Sequence, residues 1–420
     1  DTVDGTTGNR RIPDMKKQSS YGRILLVRIS MLAMTVIAAL WWQEKAESMG
    51  IVYASETEDV QISDKTQNME LLESMDFTDI DRMMEDLFPQ ERMEFADAVR
   101  QIMMGNTDVG RDAIKEMLRE RIFGAWEVNR KSILYLILLA IASAVFIGFS
   151  DIFQTRQVSQ ISFYMIYLLV MGICLASFQA ASEWMANGVH TLTGFMKVLY
   201  PVYFAAVTVA KGSISSLAFY HLAIILIVVI EELLLHLIVP GIHMYVIIRV
   251  MNSLQSEDYL SKFAELLDTA IGWGLKTLMG GMIGLNVIQG MLGPAIDTVK
   301  RSAVTRGMEM VPGVGDLLGG TAEVALGTAV LIKNSIGIVG MFLCLVLCLA
   351  PLLQLAVITL GYKLAAALVQ PVSDKRIIEC ISGVGEGCKM LMNCIFVTGI
   401  LFLVTVAIVS YTIGINGKII

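Results

Sequence analysis

Charge is what most of this chain lacks. Residues 130–420 hold 17 Lys/Arg and 15 Asp/Glu, far below the roughly one-quarter charged content of soluble domains. Over the full 420 residues the charged share is 17%, the hydrophobic share 55% and the mean hydropathy +0.64. A soluble enzyme is excluded on this balance, and lipid is the expected solvent. Cysteine is missing from residues 55–129: all six, Cys174, Cys344, Cys348, Cys380, Cys388 and Cys394, lie in or beside apolar stretches. That excludes a disulfide framework in the polar part of the chain and marks the six as small buried hydrophobes. No Gly-Lys-Ser/Thr phosphate loop, His-Glu-x-x-His pair or Gly-x-Ser-x-Gly elbow occurs, so the usual phosphate, zinc and acyl-transfer signatures are absent. No cofactor or metal set is expected, and no catalysis. No basic patch with interleaved aromatics exists, which excludes nucleic acid as a partner.

The charge that is present is concentrated. Residues 55–129 hold 8 Lys/Arg against 19 Asp/Glu, a net of −11, out of −7 for the whole chain. Within this acidic segment apolar residues recur at helical spacing. One run ends Met83, Met84, Leu87, Phe88 before Pro89; a second carries Phe95, Ala96, Val99, Ile102 and Met103. A third, from Val109 to Trp126, places Ile114, Met117, Leu118 and Ile122 on one face after Thr107 as N-cap. The pattern predicts a small domain of three amphipathic helices, with methionine filling gaps between them.

Residues 1–54 read as an N-terminal extension and signal segment. Arg10, Arg11, Lys16, Lys17, Arg23 and Arg28 form a basic region, and an apolar run from Ile29 to Trp42 follows. This order is that of a secretory signal, and 14 apolar residues fall short of the ~20 that cross a bilayer. The acidic segment is therefore expected outside the cytoplasm.

Residues 130–420 form a polytopic membrane domain. Stretches near spanning length are 132–150, 161–182, 189–210, 214–239, 275–296, 336–369 and 391–413, giving about seven transmembrane helices. The fold class is all-α, because lipid tolerates only helices and closed barrels and no alternating strands occur. Residues 241–251 and 316–332 suit interfacial or re-entrant pieces, and 336–369 with Pro351 reads as one kinked helix or two short ones. Positive-inside bias puts the loops carrying Arg156 and Lys211 on the cytoplasmic side.

Polar residues inside apolar runs are costly unless paired or wet. Lys197, Glu232, His236, Lys333, Asn334 and Lys363 are the candidates for buried polar positions. Glu232 and His236 share a face at i,i+4, as either a buried hydrogen-bonded pair, a contact with a partner subunit, or a proton relay or metal site. Small residues concentrate later: Gly280 and Gly284 are one turn apart, and Gly313 and Gly315 follow Pro312. These five positions are candidates for close helix packing or assembly, since small residues let backbones approach in lipid.

Several motifs between 275 and 390 carry a family likeness. They are Asn286-Val287-Ile288-Gln289-Gly290, Pro294-x-x-Asp297-x-x-Lys300-Arg301 and Val311-Pro312-Gly313-Val314-Gly315. Ile332-Lys333-Asn334-Ser335-Ile336-Gly337, Tyr362-Lys363-Leu364-Ala365-Ala366-Ala367 and Pro371-Val372-Ser373-Asp374-Lys375-Arg376 complete them. With the plan of signal, acidic ectodomain and spans, the chain resembles the stage III sporulation protein AE family. The resemblance implies a membrane component of the channel or secretion complex linking mother cell and forespore, required for forespore development. It implies a place in the mother-cell-derived outer forespore membrane. Implied partners are the other proteins of the same operon, including an ATPase and ring-forming subunits, and a forespore-side channel protein. The alternative is an autonomous secondary transporter for a small solute or ion, which paired broken helices and buried ion pairs would favour.

Overall fold

The chain divides into two units, Asp1–Thr66 and Gln67–Ile420. The computed structural model describes residues 75–87, 94–104, 111–152, 156–211, 215–255, 258–308 and 315–414, all in the second unit. The signal segment lies outside the described residues. Among those described the structure is helical, with no strand.

Two short helices come first, α1 (Thr78–Leu87) and α2 (Phe95–Met103). Their apolar faces bury Phe77, Ile80 and Met84, and Phe95, Ala98 and Val99. The Asp81 carboxylate accepts a hydrogen bond from the Phe95 N–H at 2.6 Å. It thereby satisfies an orphan donor of α2 from the neighbouring helix. Asp76 accepts from the Thr78 N–H at 3.0 Å, and these bonds with Thr78 hold its carboxyl below the usual value. Met83 lies against Gly194 of the second long helix, and α2 packs on the helix that carries Lys333.

Long helices make up the rest: α3 (Arg111–Ile152), α4 (Arg156–Lys211), α5 (Ser215–Leu233), α6 (Val239–Leu254), α7 (Ser261–Met308), α8 (Gly315–Val369) and α9 (Lys375–Gly414). A five-residue π turn, Leu234–Ile238, joins α5 to α6 without interrupting the rod. Pro240 follows at the start of α6. Proline removes one helical donor and crowds the carbonyl four residues back, and a widened turn at that point accommodates both. The stretches 214–239 and 241–251, separate in sequence, are thus one rod with a local change of winding between them.

Among the described residues six helical rods are long and apolar enough to cross a membrane: Arg119–Val145, Phe163–Val209, Tyr220–Leu254, Ser261–Ile288, Ala329–Val369 and Lys375–Ile408. The protein is an all-α polytopic membrane protein. The difference from seven arises in α4, where 161–182 and 189–210 are one helix of 56 residues. The polar stretch Glu183 to Gly188 looks like a boundary in sequence. In three dimensions Gly188 is a packing residue: a Cβ there would sit 2.9 Å from the Pro351 Cβ and 3.0 Å from the Ile395 Cδ1. The third amphipathic helix and the first span also fuse, as α3, because no breaker separates Trp126 from Ser132. Residues 316–332 belong to α8 rather than to a re-entrant piece, and Pro351 lies inside that helix.

Contacts fix the directions. The rod α5–α6 runs antiparallel to α4 along its length, through Phe204–Tyr220, His190–Glu231, Ser182–His243 and Tyr167–Val250. Helix α8 is also antiparallel to α4 (Leu199 on Gly340, Gly188 on Pro351), and α9 is antiparallel to α8 (Gly385 on Tyr362, Gly399 on Cys348). Helix α7 is antiparallel to α6, with Gly274 on Ile238 and Gly241 on Ile271. The most enclosed spans are those of α8 and α9.

One correction to the sequence reading of topology follows. Arg156 and Lys211 cap opposite ends of one continuous helix, so they cannot share a side. With six alternating rods, the start of α3 and the end of α9 lie at the same end of the bundle. A reporter fused after Gly414 is therefore expected on the same side as a Cys introduced at Asp76. Alkaline phosphatase fused there should be active when the Asp76 position is labelled by an impermeant thiol reagent. Opposite outcomes at the two positions would restore an odd span count.

Candidate functional site

The polar side chains placed within the apolar rods gather where α4 faces α5 and α6. Glu231 is their centre. Its Oε2 accepts a hydrogen bond from the Lys197 Nζ at 2.6 Å, and its Oε1 lies 2.8 Å from the His190 Nδ1. The Glu231 side chain is only 16% exposed, whereas Lys197 and His190 are 39% and 58% exposed. Lys197 and His190 are two turns apart on α4, so both reach one carboxylate from the same face. Toward the α6 end the His243 Nε2 lies 2.8 Å from the Ser182 Oγ, with Phe178 edge-on to the imidazole. Farther still, the Tyr167 hydroxyl donates to the Val250 carbonyl at 2.7 Å and lies 2.8 Å from the Ser253 Oγ. A ladder of polar pairs thus pins α4 to the α5–α6 rod through three levels. In lipid such bonds hold helices in register where no hydrophobic drive acts.

A second cluster lies where α8 meets α9. Lys363 is 3.5 Å from Glu386, which also faces Lys389 at 3.7 Å. At the adjoining loop Asp374 caps α9, accepting from the Arg376 N–H at 2.9 Å, and the Arg376 guanidinium stacks 3.8 Å over Phe163. Between α6 and α7 the Asn252 side chain bridges the loop. It donates to Asp258 at 2.7 Å and accepts from the Leu260 N–H at 2.8 Å. Hydrogen bonds from Asn252 and Ser261 hold the Asp258 carboxyl below its ordinary value. Asn286 of α7 donates to Thr405 of α9 at 2.7 Å in the interior.

The sequence candidates divide accordingly. Lys333 is fully buried, and Lys197 is half-buried at the Glu231 site. Glu232 and His236 pair at 2.7 Å, but on the outer surface, where they are 64% and 74% exposed. They are not buried. Consecutive residues on a helix point about 100° apart, so only one of Glu231 and Glu232 can face α4, and it is Glu231. Asn334 is exposed for the same reason, being one step from Lys333, and Lys363 is 42% exposed beside Glu386. The pairing of His190 with Glu231 is not legible in sequence because it spans 41 residues.

The glycine candidates also shift. A Cβ at Gly280 or Gly284 meets nothing within 4 Å, so they pack against no helix of this chain among the described residues. The close crossings use Gly188, Gly340, Gly387 and Gly399, where an added Cβ would collide with Pro351, Leu199, Val246 and Cys348. Pro312 and Gly313 lie outside the described residues; Gly315 begins α8. Among the described residues no group of His, Cys, Asp and Glu is arranged to hold a metal, and the six cysteines are free thiols in the core.

Comparison with known proteins gives one consistent result. The family model described as "Stage III sporulation protein AE" matches residues 93–412. The chain is 23% identical over 284 residues to "Stage III sporulation protein AE" of Bacillus subtilis (strain 168), covering 67% of this chain and 71% of that protein. No solved structure matches it. With most of its length inside the match, the chain belongs to the stage III sporulation protein AE family.

Proposed function

We propose that this member of the stage III sporulation protein AE family is the polytopic membrane component of a multi-protein channel or secretion complex between mother cell and forespore. Its role in sporulation follows from the family. The reading places it in the mother-cell-derived outer forespore membrane, working as a structural or export component rather than as an enzyme. Its partners would be the operon's ATPase, its ring-forming subunits and, through them, the forespore-side channel protein.

The observation that carries this reading is the exposed polar surface at the depth of the most apolar rod. Glu232 and His236 project outward from Tyr220–Leu254, whose most apolar 18-residue window has a mean hydropathy of 2.8. Ionisable groups in a span are expensive against lipid and are kept where they meet protein or water. A chain built to be surrounded by other proteins accounts for them. A stand-alone permease is less well supported, because Pro201 and Pro351 lie inside continuous helices instead of at paired breaks.

The test is affinity recovery of the full-length tagged protein from sporulating cells in mild detergent. The ATPase and at least one ring-forming subunit should co-purify, and their recovery should fall when the acidic segment is deleted at matched expression. Recovery of the protein without any of them, from cells that still sporulate, would sink the proposal.

A further inference from the structure

We propose that the α5–α7 side of the bundle is a self-association surface, on which the outer α5 face of one copy seats against the outer α7 face of a second copy of this chain. The inference does not depend on the sporulation complex described above.

Two unpartnered faces lie side by side on this flank. On α5 and its π turn, Ile225, Val229, Glu232 and His236 line one exposed stripe. On α7 the exposed stripe is Trp273, Lys276, Gly280 and Gly284, with Gly281 beside it. Each face carries something that lipid does not accommodate. Glu232 offers a carboxylate 64% exposed in the most apolar rod, with its near partner His236 equally outward. Lys276 is exposed and has no ion-pair partner among the described residues. The glycines beside it leave open space, since a Cβ at Gly280, Gly281 or Gly284 meets nothing within 4 Å. Small residues on this face let another helix approach closely, and the charges of Glu232 and Lys276 are opposite.

Depth selects a second copy as the occupant. The contacts of Gly274 with Ile238 and of Gly241 with Ile271 fix the antiparallel register of α7 against the α5–α6 rod. Following that register, Lys276 stands at the level of His236, Gly280 at the level of Glu232, and Gly284 at the level of Val228. Copies of one chain enter a membrane in the same orientation, and symmetric assemblies of them rotate about the membrane normal. Only residues at equal depth can then meet between copies. The acidic face and the small, basic face satisfy that condition within one chain. The Glu232–His236 pair of one copy would meet Lys276 of the next, with Val228 and Val229 lying over the glycines.

The experiment co-expresses two differently tagged full-length copies in a host that makes no other sporulation protein. Capturing one tag should recover the other. Lys276→Glu, which sets like charges opposite each other, should reduce that recovery by about tenfold or more. Glu232→Lys should do the same, and the double charge swap Glu232→Lys with Lys276→Glu should restore it. In native membranes, one copy with Val228→Cys and the other with Gly284→Cys should give a mixed-tag disulfide dimer under mild oxidation. The native cysteines are buried, and a Leu138→Cys partner on the exposed face of α3 should give none. Failure of the tags to co-purify and of the cysteine pair to cross-link would overturn the proposal. So would a double swap that recovers no more than either single change, which would assign these charges to a different membrane protein.

Discussion

Gly387→Leu is expected to abolish accumulation of the folded protein. Gly387 sits on α9 where α4 and α6 both approach, and a Cβ at this position would overlap the Val246 side chain and lie 3.0 Å from the Phe178 ring. Both neighbours are themselves buried, at 0% and 4% exposure, and Phe178 is held edge-on to His243. Neither can step aside without opening the α4–α6 contact. Overpacking by a single methyl costs about 1–3 kcal/mol in a close-packed interior, so Gly387→Ala should already lower the unfolding midpoint in detergent. Leucine adds three more carbons to the same collision, against a total stability of about 5–15 kcal/mol. Gly172→Ala is the control with opposite sign. A Cβ there meets nothing within 4 Å, and alanine is the better helix former by about 1 kcal/mol. Equal midpoints for Gly387→Ala and Gly172→Ala would show that the α4–α6–α9 crossing is looser than described.

Glu231→Ala is expected to loosen the α4–α5 contact by about 1–3 kcal/mol, the cost of leaving a partly buried donor without its acceptor. Lys197 at 2.6 Å and His190 at 2.8 Å both lose the same carboxylate. The informative measurement is a double-mutant cycle on the thermal midpoint. Lys197→Met removes the charge that Glu231→Ala strands, so the double variant should be more stable than the sum of the two single losses. Glu232→Gln makes an even milder change one residue away. It should leave monomer stability within about 0.5 kcal/mol of the parent, as an exposed position does. If Glu231→Ala and Glu232→Gln behave alike, Glu231 is not the anchor of this helix pair.

These two variants mark where sequence reasoning and tertiary structure part. Composition alone determined that the chain is a bundle of membrane helices, because an apolar run in lipid has no other way to satisfy its backbone. The same runs determined that cysteine here is core material. The family motifs from Asn286 to Arg376 determined the biological setting. Helical periodicity found α1 and α2, since Met83, Met84 and Leu87 in one segment and Phe95, Val99 and Ile102 in the other recur at helical spacing.

Tertiary structure decided which side of each helix is inside. Glu231 and Glu232 are adjacent and chemically identical; only the position of α4 distinguishes them. It also decided where helices end. Gly188 and Pro351 look like interruptions in sequence, yet they meet each other across α4 and α8 and let both helices run through. A residue's propensity is local, whereas a crossing point depends on what lies opposite, more than 160 positions away in this case. For the same reason Gly387 and Gly399 on the enclosed α9 matter for packing, while Gly280 and Gly284 on α7 meet nothing within 4 Å.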